Sequence, residues 1–156
     1  MLVWRLCKRR RVSSAFSGIG AEKHGGRWNH AGYRVVYTST SLSLACLELF
    51  VHSEPDCIPG DLHAVLATIP QSVSTELLTV AELPRNWRKY PAPSRLKDLG
   101  TRWLKEQRSL ILIVPSAVNP EENNVLINPQ HPEAKAITGI SSKPFRFDPR
   151  MWKRRP

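Results

Sequence analysis

One helix-forming stretch decides how this chain folds: Leu42-Ser43-Leu44-Ala45-Cys46-Leu47-Glu48-Leu49-Phe50-Val51. Apolar residues occur on both sides of its helical wheel, and one stripe consists of Leu42, Ala45, Cys46, Leu49 and Phe50. A helix that is apolar nearly all round is normally buried, so we expect Glu48 to lie in or against the core. An unpaired buried carboxylate is costly, and such groups collect in clefts. Glu48 is therefore the first candidate for a functional residue.

The length and composition indicate a globular chain with one domain. Its 156 residues suffice for a real core, and no apolar run reaches the roughly 20 residues needed to span a bilayer. The N-terminus lacks the apolar segment of a secretory signal. The three cysteines, Cys7, Cys46 and Cys57, suit a reducing compartment. We expect a cytoplasmic protein in which residues 1–156 form a single domain with a basic tail from about residue 150.

The positive charge is concentrated at the two ends of the chain. The formal net charge is +10, but residues 12–149 hold 14 of the 23 Lys and Arg residues and all 13 Asp and Glu residues. The body is therefore nearly neutral, whereas Lys8–Arg11 and the last seven residues are basic. Such ends bind nucleic acid or an acidic protein partner, or are simply solvated.

The periodicity predicts strands and helices that do not alternate regularly. We expect strands at residues 1–6, 33–38, 62–69, 109–114, 125–127 and 145–147, the fourth of them buried on both faces. We expect helices at residues 42–52, capped within 38–41, and 95–108, capped by Ser94. Residues 12–29 and 82–93 have the composition of loops. This pattern favours a single α+β domain over a doubly wound sheet.

Two other segments carry candidate binding chemistry. Gly25-Gly26-Arg27 combines close backbone approach with a forked donor for phosphate or carboxylate, although a plain turn with a surface arginine has the same pattern. Tyr37 ends a strand and shares a face with Val35, so it is either a core residue with its hydroxyl at the rim or a platform for a flat ring.

The remaining candidates have ordinary structural interpretations beside the functional ones. His52 lies four residues after Glu48, which suits either an acid–base pair or a surface pair. Ser116 follows the most apolar strand and either lines a site or forms a turn. His131 lies in a Pro-rich turn that explains it adequately. The histidine and cysteine spacings match no zinc motif, so we expect no metal.

Taken together, eight segments resemble the RES-domain toxins of bacterial toxin–antitoxin pairs. The resemblance covers residues 1 to about 150 and rests on these segments in order: Trp4-Arg5, Gly26-Arg27-Trp28-Asn29, Val36-Tyr37, Leu47-Glu48, Leu83-Pro84-x-x-Trp87, Gly100-x-x-Trp103-Leu104, Val114-Pro115-Ser116-Ala117-Val118 and Asn123-Asn124-Val125-Leu126-Ile127-Asn128-Pro129-x-His131-Pro132. No single segment is specific for this family, but the occurrence of all eight in this order is.

The resemblance implies an ADP-ribosyltransferase-like fold of mixed and antiparallel sheets, with NAD bound in a cleft and Glu48 on a buried helix. The name-giving arginine, glutamate and serine of the family match Arg27, Glu48 and Ser116, and Tyr37 matches a tyrosine that usually joins them. The implied catalytic residues are Glu48, Arg27 and Tyr37. The implied substrate contacts come from Arg27, Tyr37, Ser116 and Gly26, with NAD as substrate and no other cofactor.

The resemblance also implies a partner and a reaction. The partner is an antitoxin with a helix-turn-helix DNA-binding part that covers the toxin's site. We expect a homodimer within a larger complex, and neither DNA nor membrane binding by this chain itself. The reaction is cleavage of the nicotinamide–ribose bond of NAD by hydrolysis or phosphorolysis.

Two alternative functions stay open at this point. One is mono-ADP-ribosylation of a cellular protein. Arginine-modifying transferases carry an acidic or amide residue two positions before the glutamate, where this chain has Cys46, which favours NAD consumption instead. The other is a basic RNA-binding or RNA-cleaving toxin, which the terminal Lys and Arg clusters would suit.

Overall fold

The computed structural model describes residues 1–53 and 60–152, which form one seven-stranded sheet and three α-helices. The strands are β1 (Leu2–Lys8), β2 (Val36–Ser39), β3 (Leu62–Thr68), β4 (Thr75–Leu77), β5 (Ile111–Pro115), β6 (Asn123–Ile127) and β7 (Thr138–Pro144). The helices are α1 (Ile19–His24), α2 (Leu42–Val51) and α3 (Ser94–Glu106). Short 3-10 segments occupy Arg9–Ser14, Val80–Glu82, Pro132–Ala136 and Pro149–Trp152. The predicted single α+β domain is confirmed.

The sheet has the strand order β4-β5-β6-β2-β1-β3-β7. Only β4 and β5 are parallel, and every other neighbouring pair is antiparallel. Along β5, Leu112 and Val114 face a core that contains α3, whereas Ile111 faces the core on the other side. This alternation confirms the prediction of a strand buried on both faces. Among the described residues no helix is long and apolar enough to span a membrane.

Helix α2 begins and ends where the sequence predicts, but its environment differs from the expectation. The Ser41 hydroxyl caps it by accepting a hydrogen bond from the Leu44 amide at 3.0 Å. Of its ten residues only Leu44 and Ala45 are buried. The prediction of a buried helix is therefore wrong, because α2 packs against β1 and β2 on one side and leaves its other side open. Leu47 and Val51 are 36% and 53% exposed.

Four local predictions also need correction. Residues 12–29 are not a plain loop, since they include α1, which ends at Gly25 with a φ of 68° that favours glycine. The strand expected at 33–38 begins only at Val36. The N-cap of α3 is Pro93, not Ser94. The last strand is Thr138–Pro144 and not residues 145–147, because β7 is exposed along its whole length and lacks an apolar pattern.

Helix α3 fixes the loop that precedes β2 through one very close backbone contact. A Cβ atom added at Gly100 would lie 1.9 Å from the carbonyl oxygen of Trp28. One residue further along α3, the Thr101 hydroxyl accepts a hydrogen bond from the His30 amide at 3.0 Å. Trp28, Leu96 and Trp103 join the same core cluster. The loop at residues 26–30 is thus seated directly on the backbone of α3.

We expect Gly100→Ala to lower the free energy of unfolding by about 1–3 kcal/mol, because the new methyl group must displace Trp28 or the helix. Chemical denaturation measures this change. The matched control is Gly20→Ala in α1, where an added Cβ meets nothing within 4 Å. Equal stability of the two variants would contradict the close contact.

Candidate functional site

Asn29 organises the loop that carries Arg27. Its side chain is fully buried, and its amide nitrogen lies 2.9–3.0 Å from the carbonyl oxygens of Ala21, His30 and Tyr33. Its side-chain oxygen accepts a hydrogen bond from the Tyr37 hydroxyl at 2.8 Å. A buried amide with all its groups paired holds a single conformation. The loop is therefore rigid where Arg27 leaves it.

The position of the Tyr37 hydroxyl leaves no room for a side chain at position 26, so this residue has to be glycine. A Cβ atom at Gly26 would lie 2.5 Å from the Tyr37 hydroxyl oxygen and 3.0 Å from the Asn29 side-chain oxygen. Gly26 lines the large cavity described below, as the expected substrate contact requires. The geometry gives it a second reason to be glycine, since any larger residue would displace the tyrosine.

Arg27 is anchored at one end of its guanidinium group. Its Nη1 donates hydrogen bonds to the carbonyl oxygens of Trp87 at 2.7 Å and Lys89 at 3.3 Å. Partial burial lowers the pKa of Arg27, and electrostatic interactions with Glu48 and, to a smaller extent, Tyr37 oppose that shift. Within the described residues its Nη2 and Nε have no hydrogen-bond partner. A half-anchored guanidinium of this kind presents its free edge to a ligand.

Tyr37 lines the cavity, and its hydroxyl is hydrogen-bonded within the protein. The hydroxyl accepts a hydrogen bond from the Trp28 amide at 3.0 Å and donates to Asn29. Burial raises the pKa of this hydroxyl above its ordinary value, so it stays protonated at neutral pH. Both hydrogen-bonding roles are thus used within the loop. Tyr37 as a whole is partly exposed and lines the cavity, and an aromatic ring in that position suits stacking on a flat ligand.

Glu48 is held by one donor that directly follows β5 and by a second donor in the neighbouring strand β6. Its Oε1 accepts hydrogen bonds from the Ser116 hydroxyl at 2.8 Å and from the Asn124 side-chain amide at 2.5 Å. Both bonds reach the same oxygen, and among the residues that the structure describes Oε2 has no hydrogen-bond partner. The carboxylate is partly buried and lines the cavity. One oxygen is therefore fixed while the other is free to meet a ligand.

Ser116 lies behind Glu48 and not at the cavity surface. It is fully buried and lines neither of the two cavities described below. Its hydroxyl also accepts hydrogen bonds from the amides of Val118 and Asn119, each at 3.1 Å. The expected direct contact of Ser116 with substrate does not fit this placement. The serine instead positions the carboxylate.

Asn124 and Ser39 belong to the site but were not singled out in the sequence. Ser39 pairs with Asn124 across β2 and β6, and its hydroxyl donates to the Asn124 side-chain oxygen at 2.8 Å. This bond orients the amide so that its nitrogen faces Glu48. The only signal in the sequence was the Asn123-Asn124 pair within the family-like segment, which gave no role to either residue.

These side chains surround a cavity of about 630 Å³, within the usual size of small-molecule sites. Arg27, Tyr37, Glu48 and Asn124 all line it. A second cavity of about 540 Å³ adjoins it, and the two share Arg27, Glu48, His52, Tyr90 and Ala117. Arg27 and Glu48 therefore lie where two open spaces meet.

The first cavity is positively charged. Its lining includes four Lys or Arg residues, namely Arg5, Arg11, Arg27 and Lys97, but a single carboxylate, Glu48. None of the four forms a salt bridge within residues 1–53 and 60–152. A concave site with uncompensated cations attracts anionic ligands such as phosphates.

The two histidine candidates have different positions. His52 lines both cavities, with its ring 6.2 Å from that of Tyr90. His131 lies elsewhere and caps a 3-10 segment, where its Nδ1 accepts a hydrogen bond from the Glu133 amide at 3.2 Å. The structure therefore agrees with the interpretation of His131 as a residue of a turn. No group of three or more potential metal ligands occurs in the part of the chain that the structure describes, and Cys57 lies outside that part.

The chain is similar to known proteins over nearly all of its length. A family model described as RES domain matches residues 2–148. Toxin Res of Yersinia enterocolitica is 40% identical over 97% of this chain and 99% of its own length. The Prs ADP-ribosylating toxin of a Sphingobium strain is also 40% identical, over 95% of this chain and 94% of its own. The chain therefore belongs to the RES domain family.

A solved structure shares the fold. A chain in the crystal structure of the M. tuberculosis MbcT–MbcA toxin–antitoxin complex superimposes with a TM-score of 0.75 at 17% identity. The match covers 92% of this chain and 83% of that one. At this identity the likeness establishes the architecture alone.

We expect Tyr37→Phe to lower the free energy of unfolding by roughly 1–3 kcal/mol, because the Trp28 amide and the Asn29 oxygen lose their partner. The pKa of the hydroxyl is raised in the folded state, so its contribution is complete below the unfolded value near 10 and is lost as pH rises through the folded value. The loss on substitution should therefore be constant from pH 6 to 9 and shrink at higher pH. Denaturation at several pH values measures it.

The control for this prediction is Tyr90→Phe, because Tyr90 is 81% exposed. That variant should unfold like the unmodified chain at every pH. A Tyr37→Phe variant of unchanged stability would contradict the role of the hydroxyl in holding the loop.

Proposed function

We propose that this chain is the toxin of a toxin–antitoxin pair and that it cleaves the nicotinamide–ribose bond of NAD. The observation that carries the proposal is the Glu48 carboxylate, which is fixed by Ser116 and Asn124 beside Arg27 in a cationic cavity. The RES domain match and the names of the relatives support the class.

The proposed role of Glu48 follows from the positive charge that develops on the ribose during the reaction. When the bond from ribose C1 to the nicotinamide nitrogen breaks, its electron pair leaves with nicotinamide and the ribose becomes oxocarbenium-like. The free oxygen of a fixed carboxylate stabilises that positive charge without a covalent bond. Water or phosphate then forms the new bond at C1, and water releases a proton in doing so. Glu48 is thus an electrostatic catalyst in this mechanism.

Arg27 has the geometry of a substrate anchor. Its Nη1 is tied to the loop at residues 87–89, which leaves the rest of the guanidinium for the pyrophosphate of NAD. The Tyr37 ring is available beside it for the nicotinamide or its ribose. Binding and bond cleavage are thereby divided between two neighbouring groups.

The proposed partner is an antitoxin that closes the cavity. The related fold in the MbcT–MbcA complex and the names of the relatives support a partner of this class. Exposed Val51 and Tyr90 line the second cavity, and Leu47 is a further exposed apolar residue on α2. A DNA-binding part of that antitoxin and a dimer of this chain remain parts of the proposal.

A second candidate is transfer of ADP-ribose to a protein. It is favoured by one relative, which is named as a Prs ADP-ribosylating toxin. Incubation with NAD labelled in its adenylate part distinguishes the two. Free ADP-ribose or its 1-phosphate supports consumption of NAD, whereas label on a protein supports transfer.

Glu48→Gln should lower kcat for nicotinamide release by about 100- to 1,000-fold, because the charge that stabilises the cation is removed. Arg27→Gln should mainly raise KM, by about tenfold or more, because a charged contact to phosphate is lost. The control is Glu121→Gln, an exposed position outside both cavities. Full activity of Glu48→Gln would refute the mechanism.

Ser116→Ala should lower kcat by about tenfold and leave KM nearly unchanged, because the serine positions Glu48 and does not line the cavity. Stability should also fall by about 1–3 kcal/mol, since two backbone amides lose their acceptor. Steady-state kinetics at a temperature where both proteins are folded separates the effects. Ser141→Ala on exposed β7 is the control. A rise in KM alone would point to direct substrate contact instead.

A further inference from the structure

The boundary between the two cavities is the place where a reaction partner of NAD can enter. The described residues that line both cavities are Arg27, Glu48, His52, Tyr90 and Ala117. With NAD in the first cavity, the group that attacks ribose C1 has to approach through space that the dinucleotide leaves open. The second cavity supplies such a space, because Glu48 lines it as well.

His52 is the residue of this boundary that suits proton transfer at neutral pH. Imidazole has an ordinary pKa near neutrality, and its neutral form keeps one ring nitrogen as an acceptor. A carboxylate is a much weaker base, and Glu48 already has the role of stabilising the ribose cation. Arginine, tyrosine and alanine side chains do not accept protons at neutral pH.

The helix places the imidazole beside the carboxylate without joining the two. Residues four apart share one face of a helix, and His52 is the C-cap that directly follows α2. Within residues 1–53 and 60–152, His52 and Glu48 form no ion pair, and the ring nitrogens of His52 have no hydrogen-bond partner. The interpretation as a surface pair is therefore not supported. Each side chain lines both cavities on its own.

The loop that anchors Arg27 also contacts the imidazole. The Tyr90 ring lies 6.2 Å from the His52 ring at an angle of 49°, and the carbonyl oxygens of residues 87 and 89 in the same loop accept the hydrogen bonds of Arg27. Aromatic rings at such a distance attract each other. This contact limits the rotation of an otherwise exposed side chain.

We propose that His52 is the general base for hydrolysis of NAD, an inference that rests on the proposed function. As the bond from C1 to the nicotinamide nitrogen breaks, its electron pair leaves with nicotinamide. A water molecule from the second cavity forms the new bond from oxygen to C1. One of its protons passes to a ring nitrogen of His52, which later releases it to solvent. Glu48 stabilises the cation and takes no proton.

His52→Gln in the full-length chain should lower kcat for hydrolysis of NAD by about 100-fold, because the attacking water loses its base. KM should change by less than about threefold, since the substrate contacts stay in place. Chromatographic measurement of nicotinamide and ADP-ribose gives both constants. The matched control is His30→Gln, because the His30 ring pairs with Asp98 and His30 lines neither cavity.

Added azide distinguishes a base from a residue with a structural role. The azide anion bonds to C1 without giving up a proton, so it needs no base. Sodium azide should therefore restore nicotinamide release by His52→Gln to within about tenfold of the unmodified rate, with ADP-ribosyl azide as the product. Sodium chloride at the same concentration is the control for ionic strength and should restore nothing.

The outcomes separate this inference from the proposed function. If His52→Gln hydrolyses NAD at the unmodified rate, or if azide restores none of its lost activity, the inference is overturned and NAD cleavage stands. If the unmodified chain cleaves NAD only with phosphate present, no water is activated, and the inference is again overturned. If the unmodified chain releases no nicotinamide under either condition, the proposed function fails and the inference fails with it.

Discussion

The Glu48 carboxylate owes its position to the ends of two adjacent strands. Ser116 follows β5 directly and Asn124 lies in β6, and both donate to the same oxygen of a residue on α2. Because α2 is largely exposed, packing alone would leave this side chain several rotamers. The hydrogen bonds select one of them. Charge stabilisation at a reaction centre depends on such preorganisation more than on the presence of a carboxylate.

The cation opposite Glu48 is supported in a different way. Arg27 extends from a loop that Asn29 ties internally and that rests on the backbone of α3 at Gly100. The Nη1 of its guanidinium group donates hydrogen bonds to the carbonyl oxygens of residues 87 and 89. The two central groups of the site therefore have different immediate supports, and β2 contributes to both, through Ser39 to Glu48 and through Tyr37 to the loop of Arg27.

Much of this arrangement could be predicted from local patterns. The bounds of α2, its Ser41 cap and the doubly buried β5 follow from periodicity and capping chemistry. The roles of Ser116 and Asn124 could not be predicted, because they depend on contacts to Glu48 across 68 and 76 residues of sequence. The exposure of α2 could not be predicted from the sequence either, because an apolar helix at the rim of a cavity has the same composition as a buried one. Strand β7 could not be predicted from an apolar pattern, because it pairs with β3 through its backbone and buries no side chain.

The two edge strands of the described sheet differ, and each has a feature that disfavours pairing with a further strand. At one margin β4 has only three residues, which offers little backbone for another strand to pair with. At the other, β7 is longer but ends in Lys143 and Pro144, a charge and a residue without an amide hydrogen. Edge-to-edge stacking of copies is thereby discouraged. We therefore expect association with another protein, or with a second copy, to use side-chain surfaces more than a shared ladder of backbone hydrogen bonds.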